Sequence, residues 1–338
     1  MSRLKGFDYK APYFYMVTLK RLKGMLLFSE IAANGLLENQ ITRVFNSIIR
    51  SFHLKWRCLE EISPFVVMPD HLHLLIKLAP PEKQQPLKPI ALGVVVTQLT
   101  KALTRAYWEI VDPGVLLEAA TAASLAAGAA QGRTRGGTKD PDKRQLPLPP
   151  VFESEWHDWI VKKQGQLAAF RRYIKENPAR AWERRANARF FQRVAAVEFL
   201  ERQWFGYGNP EILKLPVITA IKGHRATKEG SSDWNAAIEA ASRIGPGGAG
   251  VSTFMSPLEK ACGNAIAKAG GKLIVLSPEG FNQRWHPTRD KERFCAKGNM
   301  LFLSLYEATA RQPTRQELYH RCHEMIDLAI ANLPKIEA

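Results

Sequence analysis

No uninterrupted apolar run in this sequence reaches the roughly 18 residues that a membrane-spanning helix needs, which argues against a membrane-embedded protein. The opening MSRLKGFDYK has no apolar core segment of the kind a secretory signal carries, so export is not expected either. Cysteine is scarce: Cys58, Cys262, Cys295 and Cys322 lie far apart and form no Cys-x-x-Cys pair. Their spacing argues against a zinc ribbon or a disulfide framework and fits a reducing cytoplasm. Acidic residues are in deficit, 32 Asp and Glu against 48 Lys and Arg, for a net charge of +16 over 338 residues. Such an excess suits a polyanionic partner, because each phosphate neutralised by Lys or Arg releases a condensed counterion. A soluble basic protein with no nucleic-acid role would share that charge. The hydrophobic fraction of 46% is ordinary for a folded chain and too high for a disordered one, and the length allows two cores.

Periodicity divides the chain. Residues 13–20 (YFYMVTLK) are aromatic and β-branched and predict a strand. Ile41, Val44, Phe45, Ile48 and Ile49 recur at helical spacing within 39–52. Residues 62–68 predict a second strand that stops at Pro69-Asp70, and His71–Leu78 (HLHLLIKL) predicts a third, so 62–78 reads as a hairpin. An amphipathic helix carrying Lys101 and Arg105 is expected over 92–110. The order β-α-β-β-α opens a ferredoxin-like split βαβ unit, an α+β fold. Residues 112–150 follow neither period and predict a long inserted, flexible loop. A fourth strand is expected within 151–161, then a helical region over 164–203 interrupted at Pro178. Between Ile160 and Phe205 there are eleven Lys or Arg and four Asp or Glu, a basic surface interleaved with aromatic residues. The boundary is expected at Gly206–Pro210, giving units 1–205 and 206–338. Beyond it short apolar strands alternate with helices, as in a small parallel α/β sheet.

Two motifs carry chemistry. In His71-Leu72-His73 the alternation of a strand sends both imidazoles to one face and Leu72 to the other, so the histidines can converge on one metal ion. A bare His-x-His serves equally well as two histidines on a solvated face. The second motif is Tyr173-Ile-Lys-Glu-Asn177-Pro178. Positions i and i+4 share a helix face, so Tyr173 and Asn177 can look at one point. Pro178 disfavours helix at Asn177 and predicts that the helix ends or kinks there, with Asn177 in its last turn. A buried tyrosine with an asparagine cap gives the same pattern. A tyrosine hydroxyl, with a pKa near 10, is about one part in a thousand ionised at neutral pH. It becomes a useful nucleophile when a cation polarises its target, as a divalent ion does to a phosphodiester.

The string Met68-Pro-Asp-His-Leu-His-Leu-Leu75, followed by Tyr173-Ile-Lys-Glu-Asn-Pro178, resembles the single-tyrosine HUH transposases, and most of all their branch of REP-associated tyrosine transposases. The resemblance extends to Glu155-Trp-His-Asp158 and to the β-α-β-β-α order, and covers about residues 7–190 without the insertion. It implies His71, His73 and Asn177 as metal ligands, Mg²⁺ or Mn²⁺ as the metal, and Tyr173 as the nucleophile. It further implies cleavage of single-stranded DNA beside a hairpin through a 5′-phosphotyrosine intermediate, by a monomer or homodimer in a prokaryotic cytoplasm or nucleoid. A catalytically vestigial protein that binds DNA or RNA hairpins is the alternative. His157, Asp158 and Lys175 are accessory candidates. Phosphate contacts are expected from Lys101, Arg105, Arg171, Arg172, Arg180, Arg184 and Arg185, with unpaired bases stacking on aromatic side chains. Asp70 stands where the family usually has Asn, which would alter the turn or add a carboxylate beside the metal. Histidine-triad nucleotide hydrolases also use alternating strand histidines, but Leu75 occupies their third position.

In the C-terminal part, Ser256-Pro-Leu-Glu259 has the spacing of a helix capping box. With Lys272–Leu276 and Ser277-Pro-Glu-Gly280 it resembles the Rossmann-like fold of DNA-processing proteins of the SMF family, over roughly 215–332. Gly245-Pro-Gly-Gly-Ala-Gly250 precedes its strand and is not a dinucleotide fingerprint. A module that positions DNA or contacts protein is expected here, and a nucleotide site, since helix N-termini after parallel strands can bind phosphate, is the lesser alternative.

Overall fold

Strict alternation makes His71–Leu78 the central strand of the first sheet: Leu72, Leu74, Ile76 and Leu78 are fully buried on one side. The computed structural model describes residues 4, 6–33, 35–56, 58–80, 83, 90–119, 121, 148–224, 226–283, 285–309 and 311–337. It divides into two compact units, Met1–Trp182 and Glu183–Ala338.

The first unit contains β1 (Phe14–Lys20), a small hairpin of β2 (Glu30–Ala32) and β3 (Gly35–Leu37), α1 (Gln40–Lys55), β4 (Leu59–Val67), β5 (His71–Leu78), α2 (Leu92–Val111), β6 (His157–Ile160) and most of α3 (Gln166–Ala186). Asn39 caps α1 by accepting from the Thr42 N–H, and the stripe of Ile41, Phe45, Ile49 and Phe52 faces the sheet. The sheet order is β4-β5-β1-β6, antiparallel throughout, as in a ferredoxin-like split βαβ fold. Tyr15, Val17 and Leu19 of β1 point to the same side as Leu72 and Leu74, where α1 and α2 close the main core. The other face carries a smaller cluster of Met16, Leu75 and Ile174, which seats α3.

The segment after α2 differs from the expected loop at its start, where residues 113–119 and 121 are helical. Residues 120 and 122–147 of the expected insertion lie outside the described residues. The expected strand within 151–161 shrinks to β6, because Val151 and Phe152 turn into the core instead.

The second unit holds β7 (Arg193–Phe199), β8 (Arg202–Gly208), β9 (Val217–Lys222), α4 (Ser232–Ser242), β10 (Gly248–Ser252), α5 (Pro257–Lys268), β11 (Lys272–Leu276), α6 (Arg289–Ala296), β12 (Met300–Ser304), α7 (Arg315–Asn332) and β13 (Lys335–Glu337). Its sheet runs β13-β9-β10-β11-β12-β8-β7. The first five strands are parallel, β8 runs antiparallel to β12, and β7 runs antiparallel to β8. Helices α4, α5 and α6 pack on one face through Trp234, Ala237, Leu258, Cys262, Ile266 and Cys295. Helix α7 packs on the other through Met325, Ile326 and Ala329, so the layers are those of a Rossmann-like α/β unit. Glycine at 250 lets α5 approach β10, since a Cβ there would stand 2.4 Å from Ile266 Cδ1.

Two expectations need correction. Helix α3 does not end at Pro178 but runs through it to Ala186, so Asn177 is mid-helix. Pro178 withholds the N–H that Ile174 O would accept, yet the following Ala-Arg-Ala-Trp-Glu-Arg-Arg-Ala is rich in helix formers and continues the helix. The expected helix up to residue 203 is instead the β7–β8 hairpin, which joins the second sheet. The division therefore falls after Trp182 rather than at 205/206.

Candidate active site

The geometry begins with register. Thr18 of β1 lies opposite His73 of β5 on one side and opposite His157 of β6 on the other. Directly opposed residues share a face, so His73, Thr18 and His157 form a row across the sheet, on the side that α3 covers. Ile174, 1% exposed, anchors α3 to Met16 and Leu75 and turns the adjacent Tyr173 onto the histidines. The Tyr173 hydroxyl lies 3.3 Å from His73 Nε2, and the two rings meet edge to face with centroids 5.2 Å apart. His71 Nε2 lies 3.1 Å from His73 Nε2. Residues a hundred positions apart in sequence thus meet at three atoms.

The hydrogen bonds behind the imidazoles fix what their front atoms can do. Asp70 Oδ1 lies 2.7 Å from His71 Nδ1, and this bond holds the Asp70 carboxyl below the ordinary carboxylate range. An ionised carboxylate only accepts, so His71 Nδ1 donates to it. His73 Nδ1 lies 2.9 Å from the Thr18 hydroxyl. Burial, reinforced by the neighbouring His71, pushes the His73 pKa down to about 3, so its ring is neutral at physiological pH. With His71 Nδ1 engaged by Asp70 and His73 Nδ1 by Thr18, both Nε2 atoms face the same point. The Tyr173 hydroxyl lies within hydrogen-bond distance of His73 Nε2.

Two imidazole nitrogens 3.1 Å apart share a proton or a cation between them. Metal–imidazole bonds of about 2.0–2.1 Å at a right angle place two nitrogens about 3 Å apart. The donor set therefore fits a divalent ion with an open coordination sphere. Asn177 is 5% exposed, one helical turn beyond Tyr173, and is an amide donor of the right type. Among the described residues it makes no hydrogen bond to either imidazole. No group of three or more His, Cys, Asp or Glu side chains that could hold a metal occurs among the described residues.

The remaining sequence candidates fall in several places. His157 is in the row beside Thr18, whereas Asp158, opposite Val17, projects to the other side of the sheet. Lys175, Arg171 and Arg172 are exposed on α3, with Arg171 3.4 Å from Glu61. The Arg180 guanidinium sits 5.4 Å from the Tyr173 ring centroid and steadies that ring. Arg184 and Arg185 belong to the second unit, where Arg184 reaches the buried Glu292 at 3.8 Å. Lys101 and Arg105 project from α2, on the sheet side away from Tyr173, and Arg105 pairs with Glu109 at 3.5 Å. The Asp70 carboxylate bonds the Nδ1 of His71, on the side of that ring away from Tyr173 and His73. Thr18 was not legible in the sequence, because only the β1–β5 register sets it against His73.

In the second unit the capping box forms as its spacing implies. Glu259 accepts from the Thr253 hydroxyl at 2.9 Å and from the N–H groups of Met255 and Ser256. The N-terminus of α5 is thus capped by the chain's own carboxylate.

No family model matches the chain, and no curated protein matches it. Among solved structures, it is similar to DNA processing protein A from Helicobacter pylori, whose single-stranded DNA binding mode has been described, at 18% identity over 41% of this chain and 66% of that one (TM-score 0.31). It is similar to DNA processing protein A from Streptococcus pneumoniae at 18% identity over 51% and 64% (TM-score 0.31). A REP-associated tyrosine transposase bound to a REP hairpin matches at 13% identity over 54% and 74% (TM-score 0.30). The chain spans just under two thirds of the length of the first two. Likenesses this distant add no weight to the site's own geometry. Among the described residues no helix is long and apolar enough to cross a membrane.

Proposed function

We propose that this chain is a metal-dependent single-stranded DNA endonuclease and strand transferase that cuts beside DNA hairpins through a 5′-phosphotyrosine on Tyr173. The observation that carries this reading is the convergence of the Tyr173 hydroxyl and two histidine Nε2 atoms within 3.3 Å contacts. His71 and His73, with Asn177 as third ligand, would hold Mg²⁺ or Mn²⁺, which supplies polarisation of the phosphodiester and stabilises its developing charge. Asp70 and Thr18 hold the two rings in the ligating orientation. Ile174 and Arg180 hold the phenol in place. Exposed Arg171, Arg172 and Lys175 contact the flanking phosphates.

In the cleavage step a bond forms between Tyr173 Oη and phosphorus while the bond from phosphorus to the 3′-oxygen breaks. The tyrosine proton is lost to solvent and the 3′-oxygen gains one, leaving a free 3′-hydroxyl. Joining is the reverse attack by a 3′-hydroxyl, which returns the Tyr173 hydroxyl. The ester energy is kept throughout, so no nucleoside triphosphate is consumed.

The test is a library of single-stranded hairpins with 5′ flanks, incubated with Mn²⁺ and read by denaturing gel and protein mass spectrometry. A DNA adduct on Tyr173 is expected, and Tyr173→Phe should abolish it while hairpin affinity changes by less than about threefold. Hairpin binding without adduct or cleaved product would overturn the enzymatic reading in favour of a vestigial hairpin-binding protein.

A further inference from the structure

All eight tryptophans of the chain lie among the described residues, and only Trp159 has an exposed side chain, at 52%. A tryptophan is ordinarily among the more buried residues, and an indole left open on an edge strand also invites aggregation. Trp159 stands on β6, the edge of the first sheet, directly opposite Met16. Met16 belongs to the cluster that seats α3, so Trp159 projects from the face that carries His73, His157 and Tyr173. Strand separations of about 4.8 Å and a rise of about 3.3 Å per residue put its Cα about 12 Å from that of His73. That distance is within the span of a dinucleotide.

The surroundings fit a nucleic acid better than an apolar partner. Lys163 is exposed just beyond β6 and Arg172 is exposed on α3, whereas Lys162 lies over the Phe7 ring and Arg171 reaches Glu61 on the opposite edge of the sheet. An open indole with exposed cations on the elements that follow it combines a π-face for a base with charges for its phosphates, the arrangement by which single strands are held irrespective of sequence.

We infer that Trp159 is a stacking platform for one unpaired base of single-stranded DNA, next to the phosphodiester presented to Tyr173. The position of that phosphodiester rests on the function proposed above; the stacking contact does not. Stacking on Trp159 fixes the strand's path across the sheet edge and sets how far the cut falls from the hairpin foot.

The test uses single-stranded oligothymidylate in which 5-iododeoxyuridine replaces thymidine at each position in turn. The intact protein is irradiated and its crosslinked peptides are mapped by mass spectrometry. A crosslink at Trp159 is expected. Trp159→Ala should weaken oligonucleotide binding about tenfold, and Trp159→Phe, which keeps an aromatic face, should stay within about threefold of the parent. Crosslinks confined to other aromatic residues, no binding of the oligonucleotide, or unchanged affinity in Trp159→Ala would each overturn the inference. The two readings part cleanly. A Trp159 crosslink without any Tyr173 adduct on the hairpin library leaves the platform standing and removes the transferase. A Tyr173 adduct with no Trp159 crosslink does the opposite.

Discussion

At the scale of single residues, the site is organised by what stands behind the imidazoles. Asp70 accepts from His71 Nδ1 at 2.7 Å, an arrangement that fixes the tautomer and raises the basicity of Nε2. Asp70→Asn keeps the size but presents a neutral amide. We expect Mn²⁺ affinity, measured by titration calorimetry, to fall about 10- to 100-fold, with thermal stability little changed. Unchanged affinity would assign Asp70 to the turn alone. His73 supplies a pH signature of its own. Its folded pKa, about 3, lies below the ordinary 6.5, so between those values the unfolded chain binds the extra proton. The stability linked to His73 is therefore complete above about pH 6.5 and is lost as pH falls toward 3, by at most about 1.4 kcal/mol per pH unit. Urea unfolding in EDTA should show this slope, and His73→Gln should remove its share; an identical slope in the variant would contradict the burial argument.

At the scale of elements, the joint between α3 and the sheet decides whether the motifs meet. Ile174 is 1% exposed and touches the cluster of Met16 and Leu75. Ile174→Ala should cost about 2–5 kcal/mol in the first unit and loosen Tyr173 from His73. We expect a lower melting temperature together with reduced adduct formation at temperatures where the variant is still folded. Full activity there would mean that Tyr173 is positioned by something other than this contact.

The same scale shows how much of the molecule was legible in the sequence. His71–Leu78 and Lys272–Leu276 match their expected bounds, because alternation or a short apolar run flanked by turn residues leaves little choice of register. The capping box read at Ser256 marks the start of α5. The β7–β8 hairpin was not legible. Its two-residue turn puts Leu200 and Glu201 at φ of 52° and 56°, positions where Asn-Gly would have announced it. Pro178 misled in the other direction, since a proline that usually ends a helix here sits inside one. In the site, alternation and helical spacing paired His71 with His73 and Tyr173 with Asn177. Thr18, and the burial that lowers the His73 pKa, depend on which strands are neighbours, which no local pattern encodes.

At the scale of the whole molecule, the net charge of +16 decides how binding responds to salt. If phosphates are held mainly by the chain's exposed cations, the logarithm of the association constant for single-stranded DNA should fall linearly with the logarithm of salt concentration. The slope counts the contacts, at about −0.7 per phosphate neutralised on a single strand. Arg171 and Arg172 are exposed on α3, in the same unit as Tyr173. Replacing both with Ala should make the slope shallower by about 1.4, together with a uniform loss of affinity across sequences. Lys101 and Arg105 stand on the sheet side away from the site, so replacing them should leave the slope for a short single strand unaltered. Fluorescence anisotropy over a series of KCl concentrations measures both. Equal changes from the two pairs would mean that the charge acts as a diffuse field, with DNA bound over either face. A change confined to the α3 pair would place the strand on the face where β6 and α3 carry Trp159 and Tyr173.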